Sequence, residues 1–589
     1  MLAMATTELI LVPRPQRIDI TGQGPTVDTP VQRLADPGLP DEGFDIEITD
    51  TTVTLRYADP AGARYGAALL EQIRQQSPAH WPRLTVSDWP DFPIRGYMLD
   101  ISRGRVPTRD TLSRLLDLLD LVRINQFQLY TEHTFAYADH EEVWRDASPL
   151  SPDDVRWLDD RCADKGIELV ANQNTFGHME HWLKHPTYRH RAELPDGFEL
   201  FGQHRSATTL EPTPENAEFA LELVEELMPH FRSRRINIGC DETWELGRGA
   251  SAEAVADHGR GPIYAEHLSR LLEPLLDKGY LVQFWGDIIA HHPELVPQLP
   301  TGATAVAWTY EAPREPVDWP EPVLARFREA GLDPATLTAG FEPTVSAFAA
   351  AGYPFWVAPG TSTWRSFIGR IDNAKANLVD AAEVGRRHGV EGYLITDWGD
   401  LGHMQPPSVS FPALTFGGAV SWSLDANRDL DLDEIVNRYV FEDATGRMGP
   451  VLDRLARVWS RSGLTTFNAS PLFVSVTGAR ATVMGAPDVA GLSEIIADID
   501  EALADIADAE PQCVDSRIVR DELIAAARLA RHGALRLLAD AGETVDRAEL
   551  AADLAETVEL HRAAWATRSR PGGIEVGLDL LDKLADEYR

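Results

Sequence analysis

Cysteine is almost missing from this 589-residue chain, with only Cys162, Cys240 and Cys513 present. Three thiols so far apart build neither a disulfide framework nor a CxxC metal site. Lysine is scarce too, at Lys165, Lys184, Lys278, Lys375 and Lys583. Basic charge as a whole is short: 54 Lys+Arg stand against 92 Asp+Glu, a formal net charge of −38. Such a chain is repelled by phosphate backbones and anionic lipid surfaces, which argues against nucleic-acid and membrane partners. No apolar run approaches the roughly 18 residues needed to span a bilayer. The opening stretch MLAMATTELILVPRPQ lacks a basic region followed by an apolar run of signal length. A cytoplasmic protein is the expectation. What is present is ordinary for a globular chain, 44% hydrophobic and 25% charged, and the length calls for at least two domains.

Residues 1–92 read as a small α/β domain. FDIEITD and TVTLRYA alternate like strands, ARYGAALLEQIRQQ has helical spacing, and RLTVSDWPDFP closes the unit. From residue 93 to 428 short apolar runs alternate with amphipathic helices. The runs fall at 97–102, 127–131, 167–173, 236–239, 281–285, 304–308, 355–359 and 392–398. Eight strands with intervening helices predict a (β/α)8 TIM barrel. An open doubly wound sheet would call for a Gly-rich phosphate loop after its first strand, and none follows. No cofactor is expected. Residues 429–589 carry helical patterns almost exclusively and predict an all-helical C-terminal domain.

Chemistry in such a barrel sits at the C-terminal ends of the strands. Strand one leads into Asp100 and Arg103, with Arg95 just before it. Strand two ends in Glu132 and His133, strand three in His178, and strand four runs into Cys240-Asp241-Glu242. Strands five and six end in Trp285 and Trp308, strand seven in APGTSTW, and strand eight in Asp397-Trp398-Gly399-Asp400. Tryptophans at a mouth suit stacking on sugar rings, although a single Trp is as well placed in a core. The Asp241-Glu242 pair has two readings. Its carboxyls can be split in pKa by their surroundings, one ionised and one kept as an acid. Alternatively, Asp241 caps a following helix.

These segments carry a resemblance. INIGCDETWELG resembles the His/Asn-x-Gly-x-Asp-Glu signature of glycoside hydrolase family 20, the β-N-acetylhexosaminidases. RGYMLDISRG, FGHMEHW and LVQFWGDI resemble its first, third and fifth barrel strands, DWPDFPIRG the end of its small N-terminal domain, and HRAAWATRSRPGGI a helical extension of some members. The resemblance implies exo-acting, retaining hydrolysis of terminal β-linked GlcNAc or GalNAc from an oligosaccharide or glycoconjugate. In it the substrate's own acetamido oxygen attacks C1, giving an oxazolinium ion. Asp241 would orient the acetamido group, and Glu242 would be the acid and then the base. Arg95, Glu132, His178, Trp285, Trp308, Trp398 and Asp400 would bind or wall the sugar. A lectin that kept the pocket, or a glycosidase for a non-acetamido sugar, is the alternative.

The chain also departs from that pattern. Strand two ends in Tyr-Thr-Glu-His-Thr-Phe instead of Leu-Thr-Asp-Asp-Gln-x-Trp. The loop after strand seven has no Tyr-x-Asp, leaving Tyr310 or Tyr137 as substitutes, and Trp-x-Glu becomes Trp398-Gly399-Asp400. His133, His140, His181, His185 and His204 cluster around strands two and three without His-x-His or HExxH spacing, so no metal is expected. Cys240 reads as a packed thiol. In RSRPGG, Arg568 or Arg570 is expected either to end a helix or to reach a mouth, its own or a partner's in a homodimer.

Overall fold

A computed structural model describes residues 9–200, 203–315, 319–329, 333–478 and 483–589; the first eight residues of the stretch read for a signal lie outside these. The N-terminal domain comprises β1 (Arg17–Thr26), β2 (Val31–Ala35), β3 (Phe44–Ile48), β4 (Val53–Tyr57), α1 (Pro60–Gln76) and β5 (His80–Asp88). Its sheet runs β1-β5-β3-β4-β2, antiparallel except where β2 meets β4. Asp59 caps α1 by accepting the Gly62 N–H at 2.9 Å, and Pro60 occupies the first helical turn, where its missing N–H costs nothing. Tyr65, Leu69 and Ile73 on the inner face of α1 pack on Phe44, Ile46 and Leu55 of the sheet.

Eight parallel strands follow and close on themselves: β6 (Ile94–Asp100), β7 (Gln126–Thr131), β8 (Glu168–Gln173), β11 (Arg235–Asn237), β12 (Leu281–Trp285), β13 (Thr304–Trp308), β14 (Phe355–Ala358) and β15 (Gly392–Asp397). A short hairpin, β9 (Phe198–Leu200) and β10 (Gln203–Arg205), interrupts the long excursion between β8 and β11. β15 pairs with β6 and β8 with β11, so no barrel edge is left open. The barrel interior is partly polar. Gln128 donates to Gln283 at 3.1 Å, and Asn172 donates to Gln128 at 3.1 Å, a chain of amides that leaves Asn172 Oδ1 and Gln283 Nε2 buried without a partner.

Most of the C-terminal domain is helix, notably Val489–Asp508, Ser516–Asp540, Arg547–Arg568 and Glu575–Tyr588. Their apolar faces share one continuous core with the helices of the barrel. The N-terminal domain is joined differently. Buried Asp88 accepts from Arg123 at 2.6 Å and from the Trp422 indole at 2.9 Å, so one carboxylate ties the sheet to two barrel segments. Among the described residues, no helix is long and apolar enough to cross a membrane.

Candidate active site

The mouth of the barrel is built around a strained turn. After β11 the chain passes through Gly239 (φ +72), Cys240 (φ +75), Asp241 and Glu242 (φ +49). Left-handed backbone at two non-glycine residues is costly and holds only where the surroundings impose it. Here they do. Tyr264 donates to the Cys240 carbonyl at 2.7 Å, Asp287 accepts the Glu242 N–H at 3.2 Å, and Arg260 holds the Thr243 carbonyl. Gly239 has no freedom to be anything else, since a Cβ there would sit 1.7 Å from Asn174 Oδ1. The turn sends both acidic side chains toward His178, whose Nε2 lies 3.3 Å from Asp241 Oδ2 and 3.4 Å from Glu242 Oε2. No helix starts at Asp241; the next begins at Ala252, so the capping alternative falls. Cys240 is a packed thiol against Thr175 at 3.3 Å, and burial pushes it up to about 12.

The two carboxyls differ in access. Asp241 is buried with Oδ1 unpartnered, whereas 32% of the Glu242 side chain faces solvent. Burial disfavours a charged His178, but Asp241 and Glu242 outweigh it and hold the imidazole well above its ordinary value. Nε2 faces the pair at ion-pair distance without a hydrogen bond to either acid. A third acid, Asp287, stands behind them. Burial, with Asp241 and Glu242 as neighbours, raises it well above the usual carboxylate range.

On the opposite side Arg103 is the hub. It donates to Asp100 at 2.9 Å, faces His178 Nδ1 at 3.4 Å, and lies 3.6 Å from Glu132 and 3.9 Å from Asp400. Its guanidinium covers the rings of Tyr130 (5.1 Å) and Trp398 (4.9 Å). Glu132 accepts from Tyr130 at 2.8 Å, and burial, only partly offset by Arg103, pushes it up to about 8. Trp398 donates to the Tyr310 hydroxyl at 2.8 Å, Trp308 stacks on Tyr310 at 5.1 Å, and Trp285 lies at 5.8 Å from Trp398. Trp285 is wholly buried and Trp398 nearly so, while Trp308 is half-buried.

The structure thus brings Asp241, Glu242, Glu132, His178, Trp285, Trp308, Trp398 and Asp400 to one mouth. Arg95 is elsewhere. It is the second residue of β6, at the N-terminal end of the barrel, where it donates to Glu42 at 2.6 Å and to the Phe92 carbonyl at 2.7 Å. The arginine among the acids of the mouth is Arg103, three residues past the strand's last acid. Position along the strand was the available signal, because a residue at a strand's start faces the wrong end of a barrel. Asp287 and Tyr130 were not read as site residues at all. Tyr137 is excluded as the substitute tyrosine by its buried bond to Gln173. Arg568 and Arg570 do not reach this mouth: Arg568 pairs with Glu522 (2.9 Å) and Asp515 (2.7 Å), and Arg570 with Asp154 (2.9 Å).

Glu132, His133 and His181 offer ligand atoms within 4.8 Å of one another, the sort of group that can hold a metal ion. The two imidazoles lie ring on ring, 3.7 Å apart and 11° from parallel. An ion in the plane of one ring is then far out of plane of the other, so shared ligation requires a ring to turn.

Two models of glycosyl hydrolase family 20 match the chain in order, domain 2 over residues 8–89 and the catalytic domain over residues 92–316. The chain belongs to glycoside hydrolase family 20. Among its relatives, a β-hexosaminidase of Akkermansia muciniphila is 24% identical over 342 residues, 52% of this chain and 66% of that protein. Human hexosaminidase D is 23% identical over 53% of this chain and 61% of its own length. The matched stretch therefore spans less than two thirds of either relative. An X-ray structure of Flavobacterium johnsoniae chitobiase superimposes with a TM-score of 0.53 at 15% identity, covering 99% of this chain and all of that one; the likeness is one of fold. The family match ends at residue 316, before two of the three departing segments, the loops after β14 and β15.

Proposed function

We propose that this family 20 member is an exo-acting, retaining β-N-acetylhexosaminidase that releases terminal β-linked GlcNAc or GalNAc by substrate-assisted catalysis. The observation that carries the reading is the Asp241–Glu242 pair, side by side on a braced turn with one imidazole against both. Glu242, the more open of the two, gives a proton to the glycosidic oxygen as the C1–O bond breaks. The acetamido oxygen bonds to C1 in the same step, forming the oxazolinium ring. Buried Asp241 accepts the acetamido N–H and balances the positive charge that develops on it. Glu242, now a carboxylate, takes a proton from water as the water oxygen attacks C1 and the ring reopens. An internal nucleophile makes orientation the main demand on the protein. The aromatic wall and the arginine hub supply that orientation.

Tyr310 supports the acetamido reading despite the missing Tyr-x-Asp. Burial raises its hydroxyl well above its ordinary value, so it stays protonated, and its oxygen is already oriented by Trp398. Its O–H can donate to the acetamido oxygen. The test is hydrolysis of p-nitrophenyl β-GlcNAc and β-GalNAc by the wild type and by Glu242→Gln. The variant should lose about 10²–10⁴-fold in kcat. Cleavage of the β-glucoside but of neither N-acetyl substrate would reject the mechanism.

A further inference from the structure

Glu242 is fixed by its backbone, not by its carboxyl. Among the described residues no hydrogen bond reaches its side chain, which is partly open to solvent with His178 Nε2 at 3.4 Å. The main chain, at φ +49, is what is held. Its carbonyl accepts the Trp244 N–H at 2.8 Å, and its own N–H goes to Asp287 Oδ2 at 3.2 Å. Asp287 is thus the side chain that grips Glu242. A strained backbone persists only where its surroundings impose it, so the direction in which the acid points depends on that grip.

Asp287 is itself rigidly placed. It opens the four-residue helix Asp287–Ala290, directly after Trp285 and Gly286. The Trp285 N–H donates to the Gly239 carbonyl at 2.9 Å, and the Gly286 N–H to the Val306 carbonyl at 2.9 Å. The end of β12 is stitched in this way to the acid-bearing turn on one side and to β13 on the other. Asp287 therefore ties the acid to the strand end that carries Trp285.

The setting of the carboxyl suits an uncharged group. Its Oδ1 is buried without a partner, and among the described residues no cation lies within ion-pair distance of it. Cys240, Asp241 and Glu242 face it from the turn, and Arg260 and Tyr264 from the helix Arg260–Asp277; Arg260 is engaged with the Thr243 carbonyl. An anion there would leave one oxygen unsolvated beside two other acids. A third negative charge would also oppose the step in which Glu242 gives up its proton and becomes an anion beside Asp241.

We propose that Asp287 is a positioning residue for the general acid, holding Glu242 by its backbone N–H so that the Glu242 carboxyl stays on the glycosidic oxygen. It does so without adding a charge to the pair. The proposal rests on the glycosidase reading and deepens it, since it concerns how Glu242 is made effective.

The experiment uses two β-GlcNAc glycosides. A dinitrophenyl leaving group departs without a proton, whereas a methoxyphenyl group needs one. Asp287→Ala should slow the methoxyphenyl glycoside about 10²-fold or more in kcat and the dinitrophenyl glycoside less than about tenfold, with KM little changed. Asp287→Asn, which restores an acceptor oxygen, should recover about tenfold or more of the lost methoxyphenyl rate. Equal slowing of both glycosides reduces Asp287 to a structural role and overturns the proposal, as does no slowing of either. Asp287→Glu, which shifts the acceptor by one methylene, decides the matter where the alanine variant does not fold: the same split upholds the proposal, and equal slowing refutes it. The pH profile of Asp287→Asn reads the charge. Its alkaline limb, where Glu242 loses its proton, should stay at the wild-type pH. Were Asp287 ionised in the wild type, its replacement would remove a negative neighbour and move that limb down by about one unit, which overturns the uncharged assignment. A wild type inert toward both glycosides would overturn the glycosidase reading itself.

Discussion

Glu132 and Arg103 show how a single residue's environment sets its chemistry. An unfolded glutamate ionises near 4.5, whereas burial holds folded Glu132 protonated up to about 8. A raised folded pKa means that stability from this group is full below about 4.5 and drains away as pH rises toward about 8. Glu132→Gln, neutral at every pH, removes that term. The melting temperature of the wild type should therefore fall more between pH 5 and pH 8 than that of Glu132→Gln, and equal falls in calorimetry would refute the assignment. Arg103 meets three acidic side chains and two rings with one planar fork, geometry that an ammonium cannot copy. Arg103→Lys should lower kcat/KM for a p-nitrophenyl N-acetylhexosaminide by about 10²-fold, or roughly 2.7 kcal/mol of transition-state stabilisation. Asp100, Glu132, His178 and Asp400 were legible as mouth residues because each follows a recognisable strand. Arg103 was placed at the same mouth beside Asp100, but not as its hub: the resemblance gave the sugar-binding role to Arg95, and only the strand's direction separates the two arginines.

At the scale of elements, the acid-bearing turn is held by its neighbours more than by its own strand, which spans only Arg235–Asn237. Buried Glu245 accepts from Thr208 and Thr209, and Glu193 accepts from Gly247, Gly249 and Ser251, so the excursion before β11 clamps the loop after it. Gly177, after β8, lets the two loops touch: a Cβ there would meet the Asp241 carbonyl at 2.2 Å. Gly177→Ala should push that carbonyl away and cost about 10²-fold or more in kcat, since a displacement near 1 Å can do so. Retained far-ultraviolet circular dichroism beside the lost activity would locate the damage in the turn. Barrel strands were readable because buried parallel strands are short apolar runs. β1 and β2 were missed because they are mostly exposed, and RIDITGQGPT is broken by glycine and proline.

In the whole molecule the C-terminal domain braces the mouth without entering it. Gly104, one residue after the hub arginine, lies against Gly573, and Gly402, two after Asp400, lies against Gly577; a Cβ at either would come within 2.8 Å of backbone. Arg105 reaches the carbonyls of His403 and Gln405 at 2.8 Å and stacks over Trp565. The loops after β6 and β15 are thus pinned by the last two helices. Arg568 supports this joint through Glu522 and Asp515, all three buried. Arg568→Ala leaves buried Glu522 without its ion-pair partner, while Asp515 keeps Arg114 at 3.1 Å, and should cost about 3–5 kcal/mol, read from urea unfolding. Turnover at a temperature well below melting should stay near wild type; a selective loss of turnover with stability intact would place Arg568 at the mouth after all.

The sequence by itself determined the barrel, the helical C-terminal region and the acid pair, because these depend on local periodicity and on adjacent residues. Asp241 and Glu242 are neighbours in the chain, and a strand that ends before them can only deliver them to the mouth. Tertiary structure alone decided which arginine joins them as the hub and which tyrosine faces them. Arg103 and Tyr310 come from different strand ends, and what each one does depends on partners far away in the chain. Arg95 sits two residues before Tyr97 and eight before Arg103, yet its partners are Glu42 and Phe92 at the far end of the barrel. Composition and spacing carry no record of such distances; only the closing of the sheet sets them.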